Sequence, residues 1–306
     1  MKVLSMKTVS REQVYSFHSR FNEPQFTVQS GEVFTAETEL CTGGWLASTE
    51  DTWTPEKSCA EANPAVCVAV EQAQPGDMLA VHILDIRPGP LGYTGFDKSI
   101  NPLARRITGR EWPLTTKTVE IRDGFVLWGG GLQLPVQPMI GTLGTAPEGA
   151  PIANTWGGRH GGNMDVQEVR AGNTVYLPVF APGALLHIGD AHAVQGDGEI
   201  NCSGGVECRA EAVLRVDVLP KPLQMEWPRI ENDEFIMAVA CCETAEESFC
   251  TAARELLGWM TEGYGLSPEE AYLLLGQVMQ ARCTQFVNPT RTYVCSIAKK
   301  FLLQRG

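Results

Sequence analysis

Thirteen residues past the middle of the chain, His187-Ile188-Gly189-Asp190-Ala191-His192-Ala193-Val194-Gln195-Gly196-Asp197-Gly198-Glu199, hold two of its five histidines with two Asp, one Gln, one Glu and three glycines. A neutral imidazole and a carboxylate two residues apart, His192 and Asp190, can point to one side of an extended backbone and share a hard or borderline cation. The competing reading is that Asp and Gly only make turns here, with His bonded to a backbone carbonyl. Residue types alone leave both open. A cupin would place two histidines one residue apart, whereas four residues separate His187 from His192. The acidic residues from Asp190 to Glu199 also miss the register of an EF-hand loop. No G-x-S-x-G elbow offers a serine nucleophile, and none of the ten cysteines forms a C-x-x-C pair.

A second polar stretch precedes it. Trp156-Gly157-Gly158-Arg159-His160-Gly161-Gly162-Asn163-Met164-Asp165 has four glycines that allow close backbone approach, and His160, Asn163 and Asp165 supply polar ends for a ligand or metal. A Gly-rich turn with an exposed His is the plain alternative. Beyond the central stretch, apolar residues alternate with polar ones from Val206 to Val218, a half-buried antiparallel strand. Glu207 on its polar face could point back to the site, although a solvated Glu–Arg ladder is the simpler reading.

These residues need positioning elements. An apolar approach, 175–186, and the alternating strand from 206 place the central stretch as a loop between two strands at a sheet rim. Strand-like runs recur at 26–28, 33–40, 65–69, 79–86, 118–121 and 124–128, whereas 46–65 reads as a surface excursion or lid. His82 faces away from Leu79, Val81 and Ile83, as a surface or satisfied histidine would. Gly141-Thr142-Leu143-Gly144 opens no helical pattern and is not a dinucleotide fingerprint. The last quarter differs. Apolar residues at helical spacing over 246–262 stop at Gly263 and Gly265, and Ser267, Pro268 and Glu270 open a second helix over 268–281. Asn288-Pro289 then turns the chain into a final strand at 292–297. The fold class expected is mostly β, in sandwich- or barrel-like sheets, with a smaller α/β C-terminal portion. The β-rich region is expected over 1–220 and the α/β region over 221–306.

The chain carries 36 acidic against 24 basic residues, a formal charge of −12, which repels nucleic acid and anionic membranes. No run of eighteen apolar residues and no apolar N-terminal segment appear, so a cytoplasmic protein with reduced, mostly packing thiols is expected.

The stretch 189–199 resembles the signature of the acetamidase/formamidase family. Gln74-Pro75-Gly76-Asp77-Met78-Leu79, Gly141 to Pro147, Gly161-Gly162-Asn163-Met164-Asp165, Leu177-Pro178-Val179 and Gly183-Ala184 resemble it in the same order. The resemblance runs from about residue 70 to 289. It implies a mostly β protein that hydrolyses short aliphatic amides to carboxylate and ammonia with a bound divalent metal, and it suggests a homo-oligomer. Chemistry and resemblance together assign Asp190, His192 and Asp165 as metal ligands and Glu199 as general base, chosen over Glu207. Asp197 and Gln195 would orient water or substrate, with Asn163, His160 and Glu207 near the substrate. Zn²⁺ is expected ahead of Ca²⁺, with no organic cofactor. Hydrolysis of a small lactam, or a non-catalytic protein holding a structural Ca²⁺-like ion, are the other readings.

Overall fold

A computed structural model describes residues 6–59, 62–97, 103–201 and 203–302. Strand accounts for 43% and helix for 15%, a mostly β chain with a helical C-terminal portion. Two long antiparallel strands, Asp77–Phe96 and Ser203–Pro220, form the spine. Their alternation matches the sequence: Leu79, Val81, Ile83, Ala212, Leu214 and Val216 enter the main core. His82 on the other face is satisfied by Thr174 Oγ1 and Asp217 Oδ2, both at 2.8 Å.

Register breaks interrupt the pairing between Ser203 and Glu207 and between Cys208 and Ala210. Bulges re-aim side chains. Arg209 keeps a ladder-like pair with Glu39 at 2.6 Å, yet Glu207, for which the alternation suggested a solvated ladder, is only 2% exposed.

The central stretch also departs from expectation. Residues read as a rim loop form the strand Leu186–His192, buried along its whole length. It pairs with Ala65–Val70 on one side and Met139–Gly144 on the other. Gly189 makes this interior position attainable, because a Cβ there would stand 2.6 Å from the Pro64 carbonyl oxygen. The approach is broken as well: Thr174–Pro178 is a separate strand, and Ala184 and Leu185 turn at positive φ before Leu186. The expected surface excursion at 46–65 is partly anchored, with Leu46 and Trp53 buried against Leu40, Cys41 and Tyr93.

Past residue 220, Arg229–Glu231 pairs with Thr174–Pro178 and with Phe235–Cys242, continuing one sheet. The helix Ala245–Tyr264 is capped by the Thr244 side chain and ended by Gly265 at φ 69. The next helix, Pro268–Val278, opens on Ser267 with Pro at its first turn. It stops short of 281 because Gln280–Gln285 pairs as a strand with Arg291–Ala298. Ala252, Leu256 and Met260 pack on Ile236, Ala238, Ala240 and Ile297, a second core under the helices.

Candidate active site

Four chain segments meet where the Leu186–His192 strand ends. Pairing sets His192 opposite Glu207 on one side and Met139 on the other, while Thr142 pairs with Asn163 across the Gly161–Asn163 strand. Asp165, Asp190 and Glu199 lie at φ 48, 58 and 41, in the left-handed region. Each such non-glycine residue costs about 1–2 kcal/mol, and three acidic ones at one point mark a site whose surroundings enforce the conformation.

His192 is oriented by Gln195. The Gln195 amide nitrogen donates to the carbonyls of Asp165 and Thr284, at 3.0 and 3.2 Å, so its Oε1 accepts a hydrogen bond from His192 Nδ1 at 2.7 Å. Nδ1 therefore carries a proton, and Nε2 faces inward toward the carboxylates. Nε2 stands 3.2 Å from Glu207 Oε2 and 3.5 Å from Asp190 Oδ1. Asp165 Oδ1, Glu199 Oε2, Glu207 Oε2 and His192 Nε2 are all buried without a hydrogen-bond partner. Ligand atoms of Asp165, His192 and Glu199 lie within 4.8 Å of one another, as do those of Cys41, Asp190 and Glu207.

The opposite oxygens are pinned. Asn288 Nδ2 donates to Asp165 Oδ2 at 3.1 Å, and Asn63 Nδ2 to Asp190 Oδ2 at 3.1 Å. Thr142 Oγ1 lies 2.8 Å from Asn163 Oδ1 and 3.3 Å from Asp190 Oδ2, and Asn63 Nδ2 also reaches Asn163 Oδ1 at 3.0 Å. Gly141 leaves room for the carboxylates: a Cβ there would be 2.4 Å from Asp165 Oδ1 and 2.6 Å from Asp190 Oδ2.

Burial, with Asp190 adding to it, pushes Asp165 up to about 7. Burial raises Glu199 well above the usual carboxylate range, with Asp165 next, and also raises Glu207. For His192 burial alone would lower the pKa, but Glu207 and Asp190 hold it well above 6.5. Four buried carboxyl groups around one imidazole cannot all be ionised without a positive charge among them. One nitrogen and several carboxylate oxygens, partnerless at one point, fit a borderline divalent cation.

Of the residues singled out in the sequence, Asp165, Asp190, His192, Glu199 and Glu207 come together. Asn163 and Gln195 stand behind them, their side chains engaged in holding Thr142, Asn63 and His192. Asp197 does not join them. Its side chain is 56% exposed, 3.3 Å from Arg282 Nε, and accepts from Gln167 Nε2 at 3.2 Å. His160 lies elsewhere too, packed on the ring of His18 with centroids 4.9 Å apart. Sequence reading gave no site role to Asn63, Gly141, Thr142 or Asn288, although Gly141 and Thr142 lie in a segment that resembles the family. Asn288 was visible only as a turn residue before Pro289, and Asn63 only as part of a loop.

Beside the carboxylates, Tyr93 carries a small polar and aromatic wall. Its hydroxyl lies 2.6 Å from Thr42 Oγ1 and 3.0 Å from Cys41 Sγ, and Trp45 packs edge-on at 4.9 Å.

The chain is similar to known proteins over most of its length. Residues 150–298 match the model of the Acetamidase/Formamidase family. A solved acetamidase from Bacillus halodurans is 35% identical, with a TM-score of 0.89 over 96% of this chain and 98% of its own. A predicted acetamidase/formamidase from Thermoanaerobacter tengcongensis is 33% identical, with a TM-score of 0.90 over 97% of each chain. An acetamidase of Mycolicibacterium smegmatis is 26% identical over 94% of this chain and 92% of its own.

Proposed function

The chain belongs to the acetamidase/formamidase family, and on that premise we propose that it hydrolyses a short aliphatic amide to carboxylate and ammonia with a metal-activated water. It is an amidohydrolase acting on linear amides. The observation that carries the metal-dependent reading is the convergence of His192 Nε2, Asp165 Oδ1, Glu199 Oε2 and Glu207 Oε2, buried and partnerless.

Asp165, Asp190 and His192 would hold the cation, Zn²⁺ ahead of Ca²⁺ because an imidazole nitrogen is among the donors. Such an ion, when bound, polarises the amide carbonyl and lowers the pKa of water to about 7. Glu199 takes the proton of the attacking water and returns it to the departing nitrogen. Burial holds its carboxyl above the usual carboxylate range, which favours its carrying the proton from the water to the nitrogen. Gln195 fixes the imidazole tautomer, and Asn63, Thr142 and Asn288 keep the carboxylates aimed inward. Glu207 faces His192 and adds negative charge beside the imidazole. Cys41 and Tyr93 lie beside Glu207 and would bound the substrate on that side. We propose further that the chain self-associates.

The test combines metal content with ammonia release from acetamide and formamide. Asp190→Asn and His192→Ala are each expected to lose most bound metal and turnover. Glu199→Gln should keep the metal and lose roughly 10²–10⁴-fold in turnover, the range for a lost general acid–base group. Unchanged metal in the first two variants would remove those residues from the coordination sphere. Metal loss in Glu199→Gln would make Glu199 a ligand, and wild-type turnover that survives full metal removal would overturn the metal-dependent mechanism.

A further inference from the structure

Three of the five histidines are buried together outside the carboxylate cluster. His18 lies 4.9 Å from His160 and 4.7 Å from His187, measured between ring centroids. His18 arrives on the Phe17–His18 strand, which pairs with Ile152–Ala153, and His160 sits in the turn between Gly157–Gly158 and Gly161–Asn163. His187 comes from the Leu186–His192 strand, opposite Gly144.

Their bonding is unequal. His187 Nδ1 donates to the Leu185 carbonyl at 2.8 Å, and its Nε2 accepts from Asn22 Nδ2 at 2.7 Å. That ring is satisfied on both sides. By contrast, both nitrogens of His18, Nε2 of His160 and Oδ1 of Asn154 are buried with no well-aligned hydrogen-bond partner, although the Asn154 side chain lies against His18. Asn154 Nδ2 is fixed by the carbonyls of Tyr15 and Asn63, each at 2.7 Å. A Cβ on Gly144 would stand 2.8 Å from His18 Nε2, and one on Gly162 would stand 2.7 Å from His160 Nε2. Those glycines lie on paired strands, Leu143 against Gly162 and Gly144 against Gly161, so both Nε2 atoms open onto one patch of glycine backbone.

Leaving such groups unsatisfied costs about 1–3 kcal/mol each, so a filled site is the economical native state. The chemistry of the occupant follows from the donors. Burial, then the neighbouring His187 and His160, holds His18 well below 6.5, with the Asn154 side chain opposing. Burial lowers His160 to about 4. Neutral imidazoles present lone pairs and offer no positive charge to an anion. Calcium and magnesium call for hard oxygen ligands, whereas imidazole with an amide oxygen suits Zn²⁺ or Co²⁺.

We propose that His18 Nε2, His160 Nε2 and Asn154 Oδ1 form a second metal site, for a borderline divalent ion, with His187 as the ring that positions His18. Gly141 and Gly144 flank the two centres on one strand, three residues or about 10 Å apart along it at ~3.3 Å per residue and on opposite faces, so the centres are separate. The second ion clips the N-terminal segment onto the glycine-rich turn. It also steadies Asn154, which holds the Asn63 backbone, while the Asn63 side chain holds Asp190. Its role is structural, and it stands whether or not the carboxylate site binds metal.

The full chain produced in zinc-depleted, cobalt-supplemented medium tests this by cobalt content after gel filtration and by anomalous diffraction at the cobalt edge. Wild type should show an anomalous peak between His18 and His160, and His192→Ala should keep it. His160→Phe should carry one equivalent less than wild type. In His160→Cys, cobalt bound there should give a thiolate-to-cobalt charge-transfer band in the near ultraviolet, a readout that needs only folded protein. No peak at the imidazoles, equal cobalt in wild type and folded His160→Phe, or a folded, cobalt-loaded His160→Cys without the band would each overturn the site.

Discussion

At the scale of single residues, the site depends as much on what is missing as on what is present. Gly141 has no side chain where a Cβ would press on Asp165 and Asp190 at 2.4 and 2.6 Å. Gly141→Ala should therefore expel one carboxylate and lose most of the bound metal, while the fold gives up only about 1–3 kcal/mol, the usual cost of overpacking. Metal analysis beside a thermal melt checks this, and a variant that binds metal normally would mean the carboxylates stand differently. Gln195→Leu removes the acceptor that fixes the His192 tautomer, and metal affinity should fall roughly 10–100-fold, with partial recovery in Gln195→Glu. A competition titration against a chelator reads both. Spacing in one short stretch made Asp190 and His192 candidates, and the resemblance carried by 161–165 and 189–199 singled out Asp165 and Glu199. Asn63, Thr142 and Asn288 were not legible, since each is a lone polar residue whose partner lies 21 to 127 positions away.

At the scale of elements, period-two alternation and helix caps carried most of the reading. The Ser203–Pro220 strand and the Ser267–Pro268 helix start appear where spacing put them. Coverage by a second strand was invisible, because alternation along one strand does not show what packs on its polar face, and Glu207 is buried where the Leu186–His192 strand sets His192 opposite it. Nor could composition reveal that 187–192 is interior strand, since polar residues are expected inside only when bonded or charged against a partner. The junction between the C-terminal helix and the sheet rests on a buried pair, Arg229 Nε to Glu255 Oε1 at 2.7 Å. Glu255 Oε2 also accepts from the backbone nitrogens of Glu226 and Trp227. Burial raises the Glu255 pKa even with Arg229 beside it, so desolvation outweighs attraction and the pair is not a large net stabiliser. Breaking it is another matter. Glu255→Gln leaves the guanidinium buried without a countercharge, and urea unfolding should show a loss of about 3–5 kcal/mol. A shift below about 1 kcal/mol, no more than a surface pair contributes, would show that the junction is held by its apolar contacts alone.

At the scale of the whole molecule, no described helix is long and apolar enough to cross a membrane. Cys202 lies outside the described residues, and Cys41, Cys67, Cys208, Cys241, Cys283 and Cys295 are buried without disulfides. Burial pushes Cys67, Cys208, Cys241 and Cys295 up to about 12 and Cys283 to about 11, and burial, then Glu207 and Asp190, raises Cys41 well above the usual thiol range. Thiolate, the reactive form, is scarce in these groups until pH approaches those values, so iodoacetamide at pH 8 should spare all six and leave turnover intact. Inactivation that tracks one of them and is blocked by substrate would make it a nucleophile. The proposed self-association would use the segment 103–135. There Ile107, Trp112, Leu114, Phe125 and Leu132 are exposed, and the Leu132–Pro135 strand pairs on one side only among the described residues. An apolar surface of this kind beside an open strand edge is where the proposed self-association would bury area. Light scattering on the eluting protein should give a multiple of 33.4 kDa, and Phe125→Lys with Leu132→Glu should return it to the monomer mass with its melting temperature nearly unchanged. A wild-type monomer at micromolar concentration would end the proposal, and an oligomer untouched by the double substitution would move the interface away from that segment.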